Sequence, residues 1–84
     1  MWTGTQWTGS LAAGGSNRWF TFNWPANWHV VWYMMPTTVG TVPELDWSVA
    51  VQRSDANNCT YWITVNNRSS AAVTFEGRYA VMSS

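Results

Sequence analysis

One cysteine, one histidine and no lysine stand among these 84 residues, and each scarcity removes a class of protein. Cys59 has no partner for an internal disulfide, and Cys59 with His29 falls short of the four ligands of a structural zinc site. A chain of this length buries only about 60% of the surface its unfolded form exposes. Small domains therefore lean on disulfides, metals or further copies of themselves. With the first two supports missing, no metal and no cofactor are expected, and a homo-oligomer is.

Charge is just as sparse. Four arginines balance four acids, a net charge of zero. Binding to nucleic acid or to an anionic lipid surface requires clustered cations, which four scattered arginines do not supply. No nucleic-acid partner is expected. Long apolar runs are also missing: the longest, Val30 to Met35, is far below the roughly 20 residues that span a bilayer, so no membrane span is expected. Met1-Trp2-Thr3-Gly4 lacks the basic start and continuous apolar stretch of a secretory leader.

The means for catalysis are thin. The lone His29 lies early on a strand, and no Gly-x-Ser-x-Gly elbow is present to carry a nucleophile. Glu44 and Asp46 point the same way on one strand, roughly 7 Å apart, a spacing that paired carboxylates could use. An exposed strand face accounts for them equally well. Phosphate loops, metal loops and dinucleotide fingerprints are missing too. The chain reads as a non-enzyme with no catalytic residues.

What the sequence does have is aromatic side chains in an alternating pattern. Eight Trp, three Tyr and three Phe make up 17% of the chain. Period-two alternation predicts six strands: Thr5 to Ala12, Asn17 to Asn23, Trp28 to Met35, Glu44 to Arg53, Cys59 to Asn66, and Ala72 to Met82. Leu45, Trp47, Val49 and Val51 fall on one face of the fourth strand. Tyr61, Ile63 and Val65 do so on the fifth, and Val73, Phe75, Tyr79 and Val81 on the sixth. Gly77 interrupts that last inner face, as if a tryptophan needed the space. On the second strand Phe20 and Phe22 are read as inward, with Trp19 and Thr21 outward. The third strand is apolar on both faces, which favours a subunit interface. Short connections, including Ser54 to Asn58 and Asn66 to Ser70 as hairpins, imply an antiparallel meander. The expected fold is one all-β domain over residues 1–84, a small β-sandwich or compact barrel.

Such a domain has about twenty to twenty-five inward positions by the alternation rule, too few for every tryptophan. Trp32, Trp47 and Trp7 are read as core. Trp19 and Trp62 are read as exposed, and Trp24 and Trp28 bracket a proline turn beside Asn23, Asn27 and His29. An indole offers an apolar face to the C–H face of a pyranose, while amides and imidazole serve its hydroxyls. These seven residues are the candidate ligand site, and the expectation is a small lectin-like, sugar-binding domain. The alternative is a self-assembly or protein-interaction module that uses the same aromatic surface as an interface. Asn58-Cys59-Thr60 and Asn67-Arg68-Ser69 fit the N-glycosylation pattern and are read as chance matches at turns.

Overall fold

The computed structural model describes residues 1–83, which form six strands and no helix. They are β1 (Trp2–Leu11), β2 (Ser16–Pro25), β3 (His29–Pro36), β4 (Leu45–Arg53), β5 (Asn58–Asn67) and β6 (Val73–Ser83). Every pairing is antiparallel, in two three-stranded sheets of order β1-β6-β3 and β2-β5-β4. The two sheets pack as a sandwich, and no closed barrel forms among the described residues. All six strands expected from the alternation are present, with ends moved by a few residues.

The path of the chain is not a simple meander. Only β4 and β5 are both consecutive and paired; every other connection crosses from one sheet to the other. The turn after β5, read from sequence as a hairpin, is such a corner. Alternation reports which side chains face inward, but it carries no information on which strand lies alongside.

The central strands β5 and β6 supply most of the core. Tyr61, Ile63, Val65, Val73, Phe75 and Val81 are buried on the faces the alternation assigned them. Leu11, Trp32 and Met34 join them from the strands on either side of β6. On β4, Trp47, Val49 and Val51 lie opposite Val65, Ile63 and Tyr61 and so share the inner face, as expected. Yet β4 is an edge strand, and Val49 and Val51 remain 38% and 65% exposed.

The second strand departs from its expected phase. Thr21 is buried and Trp19 packs on Phe75 and Trp7, whereas Phe20 and Phe22 are 58% and 61% exposed. Regular pairing sets Trp19 and Thr21 opposite the inner-face Ile63 and Tyr61, and a bulge follows them. Between Thr21↔Tyr61 and Trp24↔Cys59, β2 advances three residues while β5 advances two. Asn23 takes a left-handed φ of 63° within it. The extra residue resets the alternation, so Trp24 faces inward as well. The Trp24 indole N–H then donates to Thr21 Oγ1 at 2.9 Å, satisfying both groups.

Three inner-face glycines make room for aromatic rings. A Cβ on Gly77 would lie 2.5–2.6 Å from three carbons of the Trp7 ring, as the sequence suggested, and Gly9 and Gly4 lie under Phe75 and Tyr79. Overpacking of this kind costs about 1–3 kcal/mol. Gly77→Ala is therefore expected to lower the urea unfolding midpoint with little change in slope. In a Trp7→Leu background, which opens the same space, the alanine should cost less than it does alone.

Candidate binding surface

The seven residues singled out from sequence separate into three places. Trp19 and Trp24 are partly buried and pack against the core. Trp24 meets Trp32, Tyr61 and Tyr79 edge-on, with centroids 5.2–6.0 Å apart. This joins both indoles to a continuous aromatic interior running through Trp7, Trp32 and Phe75. Burial in it pushes the Tyr61 phenol up to about 12, and a hydrogen bond with Cys59 acts in the same direction. Tyr61 is thus a neutral core group at any physiological pH.

A second group lies at the Pro25–His29 corner. Trp28 is half-buried and stands edge-on to Trp2 and Trp24. Asn23 and Asn27 are exposed, and His29 Nδ1 lies 2.6 Å from Ser83 Oγ. Asn27, Ala26, Arg53, Ala56 and Asn57 line a shallow cleft of about 340 Å³. Its one cation is already engaged, because the Arg53 guanidinium donates to the carbonyls of Asp55 and Ala56. Asp55 in turn closes the β4–β5 hairpin by accepting from the backbone N–H groups of Asn57 and Asn58. Those bonds, the Asn57 N–H foremost, hold its carboxyl below the usual range. The cleft is built around the hairpin's own geometry.

Of the seven, Trp62 lies on the outer face of the β2-β5-β4 sheet, the side expected for it, but half-buried. There it meets residues that the sequence reading had placed inside. Phe20 sits directly opposite it on β2, with ring centroids 5.0 Å apart and planes 31° from parallel. Phe22 continues the row, 6.1 Å from Phe20 at 27°. At the other end the Arg18 guanidinium lies 4.5 Å from the centre of the Trp62 ring, a cation–π contact. The Trp62 indole N–H donates to Gln52 Oε1 at 2.7 Å, which fixes the ring. The result is a row on the outer sheet face in which Arg18, Phe20 and Phe22 are exposed and Trp62 is half-buried between them. Ser48 and Thr64 are cross-strand partners on the same face.

The bulge that sends Trp24 inward follows the outward Phe20 and Phe22, so the row ends where the strand turns its next indole to the core. The other outer face is more polar at its centre. There Arg78 pairs with Glu76 at 2.8 Å and donates to the Tyr33 hydroxyl at 3.1 Å. Both contacts hold the guanidinium in its charged form, Tyr33 more strongly. Thr3, Thr5, Tyr33, Glu76 and Arg78 border a cleft of about 280 Å³ there. Among the described residues no group of acidic, histidine or cysteine side chains could hold a metal ion.

The fold and this surface define an all-β sandwich with an aromatic outer face. No protein-family model, no curated protein and no solved structure matches the chain.

Proposed function

We propose that the domain binds carbohydrate, with a sugar ring stacked on the Phe22–Phe20–Trp62 row of the outer β2-β5-β4 face. The supporting observation is the row itself: two phenylalanines more than half exposed, continuous with an indole held in place by Gln52. Exposed apolar surface gathered in one place marks an interaction site. A pyranose matches it because its C–H face is apolar, while its rim hydroxyls can reach Gln52, Arg18 and Thr64. A neutral ligand also suits a chain of zero net charge. Of the seven residues picked out from sequence, Trp62 belongs to this surface. Exposed Asn27 and His29 flank the half-buried Trp28 in a second, smaller group.

The test is a glycan array with wild type, Phe22→Ala, Trp62→Ala and Trp28→Ala. Binding to a related set of glycans is expected, with losses of tenfold or more in the first two variants and little change in the third. Loss in Trp28→Ala alone would move the site to the corner. A blank array from folded protein would favour the second reading, an assembly or protein-interaction module. The outward Val31, Tyr33 and Met35 of β3, all at least one-third exposed, are its supporting observation.

A further inference from the structure

We propose that two copies of this chain pair antiparallel through their β4 edges, joining the two β2-β5-β4 sheets into one continuous six-stranded sheet. A sandwich of two three-stranded sheets has four edge strands, here β1, β3, β2 and β4. Exposed edges invite strand addition, and folded proteins blunt them with bulges, prolines, charges or covering groups. Three of the four are blunted. β1 carries a register break at Gln6, between Thr5 and Trp7. β2 has its bulge at Phe22 and Asn23 and ends in Pro25. The pairing of β3 is irregular at His29, its end is Pro36, and its Trp32 carbonyl accepts the Trp47 indole N–H at 3.2 Å.

β4 has no bulge and no proline, and its Trp47 indole is the group that covers the β3 edge. It runs in unbroken register with β5 from Leu45↔Asn67 to Arg53↔Cys59 and contains neither proline nor glycine. Its only charges, Asp46 and Arg53, lie near its two ends, and its middle is Val49, Ala50 and Val51, all exposed.

The strand is also complementary to itself. A two-fold axis through Val49 overlaps its whole length and sets Val49 against Val49, Trp47 against Val51, and Ser48 against Ala50. Asp46 then faces Gln52 and Arg53 faces Leu45, so no like charges oppose each other. A sum of residue numbers that stays even keeps each inner-face residue opposite another. Trp47 against Val51 is an aromatic–β-branched pair of the stabilising kind, and it covers the most exposed valine of the strand. Nine paired residues supply roughly eight to ten main-chain hydrogen bonds, about the number in an ordinary stable interface. This pairing gives a chain without disulfide or metal the additional burial that so small a domain needs.

The axis stands perpendicular to the sheet, so the two aromatic rows face the same way. Three strand spacings and a short offset along the strands put the two Trp62 residues about 16 Å apart. The pairing does not depend on what those rows bind, but it would present them side by side, where two weak contacts reinforce each other.

Sedimentation equilibrium at tens of micromolar should give twice the chain mass. Val49→Lys sets two ammonium groups against each other at the axis, and it should halve that mass while the far-ultraviolet circular dichroism stays unchanged. Val49→Cys tests the register without adding charge. Both classes of antiparallel pair put the facing Cα atoms within disulfide range, so mild oxidation should yield a covalent dimer. Val31→Cys on β3 should not. A monomeric wild type, a dimer indifferent to Val49→Lys, or a dimer split by Phe22→Ala would each overturn the proposal.

Discussion

Asn67→Ala is expected to remove about 3–5 kcal/mol of stability, out of roughly 4–13 kcal/mol for a domain of this size. The side chain is 2% exposed, the most deeply buried polar group among the described residues. The two hydrogens of its amide Nδ2 are shared among the carbonyls of Leu11, Ala12 and Ala71 at 3.3, 3.0 and 2.8 Å. Its Oδ1 accepts from the Ser69 N–H at 2.9 Å. The carbonyls belong to the end of β1, the residue after it, and the approach to β6, so one side chain ties three segments where the chain changes sheets. Alanine removes every one of these contacts at once; the Ala12 carbonyl keeps the Gly15 N–H at 2.8 Å, while the Ser69 N–H loses its side-chain acceptor at a buried residue. Asn67→Asp keeps the acceptor for Ser69 but turns a negative oxygen toward carbonyls, so it should be no more stable than alanine at neutral pH. Urea titration followed by tryptophan fluorescence measures both. A loss below 1 kcal/mol for alanine would mean that water replaces the amide.

Asn67 also shows what was not legible in the sequence. From sequence, the Asn-x-Ser spacing is a chance match to a glycosylation pattern. In the fold the same spacing is an Asx turn, in which the Asn67 carbonyl oxygen reaches the N–H two residues on. Residues with such local bonding ability favour turns wherever they occur, but only the folded chain shows that the amide's other end reaches across 55 residues to Ala12.

The period-two pattern was legible because a half-buried strand has a simple rule, and β5 and β6 obey it without interruption. β2 defeated the rule because Trp19, Phe20, Phe22 and Trp24 put aromatics in both phases. Counting hydrophobicity could not decide between them. The one available signal was Asn23, a residue that tolerates a left-handed φ, placed between Phe22 and Trp24. Without that bulge the candidate surface was only partly readable: Trp62 could be placed outside, and its two phenylalanine neighbours could not. The connectivity was hidden for a different reason. It follows from how strands share edges, which no single strand records.

The second large effect is expected at Trp32. It is 4% exposed and touches the rings of Trp7, Trp24, Tyr61 and Tyr79, making it the hub of the aromatic interior. Truncation to alanine removes about 3–5 kcal/mol, since four large rings cannot collapse into the space of an indole. Trp32→Phe should behave quite differently. The Trp32 indole N–H is buried with no hydrogen-bond partner, a deficit of about 1–3 kcal/mol that phenylalanine does not have. Phenylalanine keeps most of the ring contact, so the loss of area and the relief of an unpaired donor should nearly cancel. A difference of more than 2 kcal/mol between the two variants is the expected result, read from paired denaturation curves. If Phe proved as damaging as Ala, the exact shape of the indole, and not its bulk, would be holding the two sheets together.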